Sequence, residues 1–427
     1  MIRTLPKGPT AALLGALALA ACSDDDPVAP ATPDAVPAAE ARRLVVADAQ
    51  DATLRVVGLD TDASGVTELP LTAPASYLYA SGSGRFAVAQ QRAQDVLHIV
   101  DGGVDVGVGT VRLAEPAVVG SFGDAAPTHG NVNGDVISVF FDGSGMTHFW
   151  DEDDLRAGQT APFLSLDTGG PYHGATVAMG DGEHVVVTRK DGDNVLPAGV
   201  DIYTRSGELV DSTRSCPNLH GNAGNRDWVV IGCVDGVLTV GMEGGAPTFT
   251  RYDLADGPEW GTGTVWSAWD APRFLLRNSD RSLPRGTPPT PENRRLATFD
   301  PASGAATNLS LPGGDVDWTA DLSADGRYAL VLGRTGNLYV FSMGSASLVA
   351  RFDGVVGGPD AMPSGAAPYL ASTADRAYLS DPVSGEVVEI DLGVSTPALL
   401  RRIAVPGTPT RIAVVGPGDT GEYVVES

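Results

Sequence analysis

DWTADLSADGRYALVLGRTGNLYVF, residues 317–341, decides the fold. Trp318 opens a short strand. Ser323-Ala-Asp-Gly-Arg327 makes a tight turn, Tyr328-Ala-Leu-Val-Leu332 a β-branched and apolar strand, and Asn337-Leu-Tyr-Val-Phe341 a third, alternating one. Short runs of this kind bounded by Gly, Asp and Asn are strands joined by turns, and no 3.6-residue period competes with that reading. The same phrase recurs at Tyr77–Asp101 and at Tyr369–Asp391. Bulky residues that open the successive units are Tyr77, His129, His173, His220, Trp266, Trp318, Tyr369 and Arg411. They are spaced by 52, 44, 47, 46, 52, 51 and 42 residues. A period of about 40–50 residues with four short strands per unit is the signature of a β-propeller blade.

The two ends supply halves of one unit. Arg411 opens a unit that lacks its outer strands, and residues 43–61 supply two strands with no inner strand before them. Joined, they close a ring and leave only short edges. The expectation is an all-β propeller of eight blades, or seven if one boundary is false, as a single domain over residues 42–427. Composition agrees. Apolar residues are 43% of the 427, enough for a sizeable core, and 53 Gly with 31 Pro provide turns. Net charge is −25, which excludes a nucleic-acid or polybasic membrane-contact function, since both need a basic face. Only Lys7 and Lys190 are lysines; the other basic residues are arginines.

The N-terminus reads as an address. Arg3 and Lys7 precede an apolar run, residues 11–21, too short to span a membrane. Leu19-Ala20-Ala21-Cys22 resembles a bacterial lipobox. It implies a signal peptide over 1–21, a lipidated Cys22, and attachment to a membrane through the lipid anchor alone. Residues 22–41 are rich in Pro, Ala and Asp and read as a disordered tether. Removal of residues 1–21 would take away Arg3 and Lys7 and leave −27. Ser23 points to the outer membrane. With Cys22 modified, Cys216 and Cys233 remain as an even pair, 17 residues apart, and read as a disulfide in an oxidising compartment, with metal ligation as the alternative.

Three of the six histidines precede glycine: Thr128-His129-Gly130, Tyr172-His173-Gly174 and Leu219-His220-Gly221. Their spacing is one blade each. Equivalent inner-strand positions of consecutive blades face one axis, so the three imidazoles are expected to converge. Three neutral imidazoles with a fourth position open describe a Zn²⁺ site, although imidazole also suits Cu and Ni. The alternative is that the rings merely plug the channel. Asp317 and Asp124 are candidate fourth ligands. His98, His148 and His184 read as strand residues. Residues 60–65, DTDASG, imitate the start of a Ca²⁺ loop, but Leu71 stands where its glutamate is required.

The segments Pro127-Thr-His129-Gly, Val139-Phe-Phe-Asp-Gly-Ser-Gly145, Pro171-Tyr-His173-Gly-Ala-Thr-Val177, Leu196-Pro-Ala-Gly-Val200 and Cys216-Pro-Asn-Leu-His220-Gly-Asn-Ala223, with Ile231-Gly-Cys233, resemble the periplasmic zinc metallochaperone propellers of the AztD type. The resemblance implies a monomeric propeller that binds Zn²⁺ and passes it to the solute-binding protein of a zinc ABC importer. His129, His173 and His220 would be ligands and Cys216–Cys233 the family's disulfide. Residues 23–41 hold no histidine where members carry a His-rich segment; Tyr172 stands where many have His, and Asn222 where many have Glu. Two other functions compete with a carrier. One is a zinc hydrolase or lyase on the same trio, with Asp317 or Asp124 as base. The other is a metal-free surface scaffold.

Overall fold

Strands begin wherever β-branched and aromatic residues alternate, and they stop at Gly-, Asp- or Asn-containing turns. The computed structural model describes residues 35–60, 65–190, 192, 194, 196–254, 257 and 259–426. The apolar run, the lipobox, Cys22 and most of the calcium-like loop lie outside the described residues. Among those described, nine four-stranded sheets are present, and the α-helix is a five-residue turn, Glu152–Arg156.

Eight of the nine sheets are antiparallel meanders in chain order. The first pairs Tyr77–Ala80, Phe86–Gln91, Val96–Asp101 and Ala117–Gly123. The second runs Pro127–Asn133, Val136–Phe141, Met146–Asp151 and Leu164–Asp167. The third starts at Thr176–Ala178 and the fourth at Asn222–Gly224; three more occupy residues 260–309, 317–352 and 370–404. The eighth joins the two ends of the chain. Pro409–Val415 is its inner strand and pairs with Arg43–Asp48, followed by Thr53–Gly58 and Val66–Pro70. The half-units read from the sequence therefore meet in one sheet.

Apolar clusters lie between each sheet and the next. Phe86, Val88 and Leu97 of the first sheet pack on Ile137, Val139 and Phe141 of the second. Leu44, Val46 and Val414 of the joining sheet pack on Tyr378 and Val387 of the seventh, while Val45, Leu54 and Val415 pack on Ala87, Ala89 and Val100 of the first. The packing therefore runs round in a circle, and the architecture is a β-propeller. Joining a first and a last strand in one sheet removes the exposed edge a linear array would leave. The described residues from 35 onward form one compact unit.

Three details differ from the sequence reading. The expected tether over 22–41 is shorter, because Ala35–Pro37 pairs with Glu422–Glu426, which in turn pairs with Thr110–Leu113 in the ninth sheet. Ala38 and Ala41 are buried there, so alanine-rich composition concealed a packed segment. The hairpin Val104–Val106 and Thr110–Leu113 is inserted between the third and fourth strands of the first sheet, which accounts for the long first interval. Trp266 closes its strand, Trp260–Trp266, rather than opening it, three residues beyond the bulge at Gly263.

Candidate metal centre

The inner strands and the segments just before them bring three imidazoles to one end of the channel. His129 lies in Pro127–Asn133, immediately after a bulge. His173 and His220 stand three and two residues before the inner strands Thr176–Ala178 and Asn222–Gly224. Each following glycine sits where no side chain fits. A Cβ at Gly130 would lie 2.0 Å from the Tyr79 hydroxyl, and one at Gly174 would lie 2.4 Å from the Phe140 ring. Gly221 has φ +80° and would meet the Gly263 carbonyl at 2.8 Å, so it requires glycine for both conformation and space. The Cys216–Cys233 disulfide ties the segment leading to His220 onto the strand Val229–Cys233.

The three ligand nitrogens lie within 4.8 Å of one another. The Nε2 atoms of His129 and His173 are 3.0 Å apart, and those of His173 and His220 are 3.2 Å apart. Nitrogens at 2.0–2.1 Å from a tetrahedral Zn²⁺ are separated by about 3.3 Å, so the spacing suits that ion. His173 Nδ1 lies 2.7 Å from Asp142 Oδ2, and Asp142 also takes Arg92 Nη2 at 3.1 Å. His220 Nδ1 lies 2.7 Å from the Gly263 carbonyl.

These outer partners fix the tautomers. A carbonyl only accepts, so His220 donates from Nδ1. Burial raises the Asp142 carboxyl, but His173 and Arg92 outweigh it and hold it below its ordinary value; as a carboxylate it accepts from His173 Nδ1. With one proton on each ring, at Nδ1, both present bare Nε2 lone pairs to each other at 3.2 Å. His129 can bridge one gap with a proton, but not both. Burial, reinforced by His173 and His220, pushes the His129 imidazolium down to about 3. Burial likewise lowers His220, against the opposing pull of the Gly263 carbonyl. Burial therefore opposes an extra proton on His129 and on His220. A cation bound by lone pairs relieves the contact.

Asp317 does not join the trio. Its carboxylate is buried and bound to Arg277 Nε at 2.6 Å, because a buried charge needs its counter-ion more than a distant metal. Asp124 is likewise taken, by His148 Nε2 at 3.0 Å. His98 bonds Ser121 and Gln91, and His184 bonds Asp181. The residue the sequence reading left without a role is Asp142, inside the quoted Val139–Gly145 segment. Its signal was a carboxylate one residue past the second strand of a sheet whose first strand carries a site histidine.

No protein-family profile matches the chain. Solved structures do match. Two structures of AztD from Citrobacter koseri, one of the apo form, superpose with a TM-score of 0.75 at 22% and 21% identity, covering 90% of this chain and 100% of theirs. The chain has the fold of AztD. A structure of the dihydro-heme d1 dehydrogenase NirN in complex with DHE superposes less closely, with a TM-score of 0.53 at 14% identity, covering 90% of this chain and 77% of that one. AztD is thus matched over its whole length. The sheet that joins residues 35–37 to 422–426 lies within the 394-residue unit that carries this fold.

Proposed function

We propose that the chain is an exported zinc carrier. Its eight antiparallel sheets are read as the eight blades of a propeller, one domain behind a signal peptide, with Cys22 as the lipid-bearing residue on the periplasmic side of a bacterial membrane. His129, His173 and His220 hold Zn²⁺ as cargo at one end of the channel. A partner such as the binding protein of a zinc importer takes it up. One observation carries the metal assignment: three imidazoles whose Nε2 atoms converge at 3.0 and 3.2 Å, two of them held from behind at Nδ1 by Asp142 and the Gly263 carbonyl. The AztD-like fold supports the carrier reading.

The bases open to the enzyme alternative are engaged elsewhere. A hydrolytic zinc site needs a nearby group free to take a proton. Asp142, Asp124 and Asp317 are each bound to a histidine or an arginine. Elemental analysis of the purified protein tests the metal. Wild type is expected to carry stoichiometric zinc, and His129→Ala, His173→Ala and His220→Ala each to lose most of it. Unchanged zinc in all three variants would remove the site. Zinc transfer to a periplasmic binding protein, measured against spontaneous release, tests the carrier role.

A further inference from the structure

The two ends of the channel differ in how their charged side chains are paired. At the end where the inner strands finish, a cavity of about 630 Å³ is lined by Asp135, Asp270, Asp321, Asp325 and Asp419. At the end where the inner strands begin, beside the imidazoles, arginines are left without ion pairs. Five arginines stand there, Arg281, Arg285, Arg294, Arg334 and Arg411, and none has an ion-pair partner among the described residues. In a chain with 53 acidic and 28 basic residues, most other arginines do have one, as Arg42, Arg55, Arg85, Arg92 and Arg376 show.

Topology fixes their position. Arg281 and Arg334 follow directly on the second strands Phe274–Asp280 and Tyr328–Gly333, and Arg294 begins the third strand Arg294–Phe299. In an antiparallel meander those points lie at the starting end of the inner strand. Arg411 lies in the inner strand Pro409–Val415, with its guanidinium 3.6 Å from the Tyr369 ring centre and 5.1 Å from that of Tyr77. A cavity of about 340 Å³ opens beside these three side chains. The Arg281 guanidinium lies against Gly263, whose carbonyl orients His220; a Cβ on Gly263 would be 2.7 Å from Arg281 Nη2. Arg281 and Arg285 both oppose a positive charge on His220, while Arg277, Arg281 and Arg334 do the same to Arg294. The one carboxylate in that group, Asp317, is already held by Arg277.

A cation site rimmed by unneutralised guanidiniums repels its own cargo unless something anionic accompanies it. We propose that this rim is the docking surface for an acidic segment of a partner protein, whose carboxylates pair with Arg281, Arg294 and Arg334 beside the imidazoles. The guanidiniums come from two neighbouring sheets, which is wider than one small anion and fits several carboxylates along a chain. Guanidinium and carboxylate also match as forks. The inference rests on the charge distribution and not on the metal, so it and the zinc assignment fail separately.

The test uses the full chain, zinc-free and zinc-loaded, and a fluorescein-labelled hexa-aspartate peptide followed by fluorescence anisotropy. Binding is expected to weaken steeply as salt rises. It is expected to fall at least tenfold in Arg281→Glu/Arg294→Glu and to stay unchanged in Arg226→Glu/Arg327→Glu, which makes the same charge change at the opposite end. The melting temperature of the first pair should match wild type, and its zinc content should not fall, since removing positive charge beside the imidazoles favours a cation. Equal loss in both pairs, or no binding at physiological salt, would overturn the docking surface. Loss of zinc in the histidine variants with intact peptide binding would leave it standing.

Discussion

Asp142→Asn isolates the tautomer argument. In the native site the carboxylate accepts the His173 Nδ1 proton at 2.7 Å, and so leaves Nε2 bare for a cation. An asparagine keeps the shape but offers two faces. Its oxygen can still accept, more weakly. Its NH₂ can instead donate to Nδ1 and thereby stabilise the tautomer with hydrogen on Nε2, pointing where the metal should be. Removing a carboxylate behind a metal-bound histidine typically costs 10–100-fold in metal affinity, about 1.4–2.7 kcal/mol. The upper half of that range is expected here, because Asp142 also holds Arg92, which would otherwise face the site uncompensated. Competition with a chromogenic zinc chelator at neutral pH reads the affinity, and the melting temperature of the zinc-free form checks the fold. Asp317→Asn removes the same charge from a carboxylate bound to Arg277 and should lower stability with zinc affinity unchanged. If Asp142→Asn binds zinc within twofold of wild type while folding normally, the carboxylate does not set the tautomer, and the lone-pair argument loses its footing.

Other perturbations reach the same site or the ring closure. Reducing Cys216–Cys233, or the double Ser variant, should cost about 3 kcal/mol by denaturant unfolding for a loop of this length, and should weaken zinc binding by loosening the segment before His220. Gly221→Ala forces a residue with a side chain to φ +80° against the Gly263 carbonyl; zinc affinity should drop together with stability, whereas Gly109→Ala, also at positive φ but in open space, should cost stability alone. Asp48 gives a pH dependence. Burial raises its carboxyl, but bonds from the Gln50, Asp51 and Thr408 amides and from Arg55 outweigh that and hold it below 3.8. A depressed carboxyl stabilises the fold above its unfolded value and loses that contribution as pH falls through the folded one. The melting-temperature gap between wild type and Asp48→Asn should therefore be constant above about pH 4 and shrink below it; a gap that widened in acid would contradict the assignment.

Features that repeat were legible in the sequence. The interval of one sheet between His129, His173 and His220 implies that three rings converge on the channel axis, because inner strands repeat their geometry. The meeting of residues 43–58 with 409–415 was legible for the same reason: each end lacks what the other supplies. What escaped was carried by single contacts between neighbours distant in sequence. Asp142 reaches His173 across two sheets, and nothing in its local composition separates it from Asp124 or Asp317. Trp266 was misplaced because a bulge at Gly263 slips the register, and one extra residue is invisible to counting. Ala35–Pro37 reads as tether because alanine and proline signal no strand; its order comes from the partner strand 422–426.

The same reasoning explains why the site is lopsided. Only three of the eight inner positions carry histidine, and they are consecutive; four of the other five sheets present Tyr77, Trp318, Tyr369 and Arg411. A symmetric ring of ligands would hold a cation on the axis, equally far from every wall. Three adjacent sheets instead pull it to one side, against Asp142 and the Gly263 carbonyl, and leave the facing wall to aromatic rings and arginines. That wall presents no histidine, and its carboxylate Asp317 is already held by Arg277, so an ion leaving the imidazoles meets weaker ligands there. An entrant that brings its own ligands from outside is favoured, and the guanidiniums on that wall select for one with negative charge.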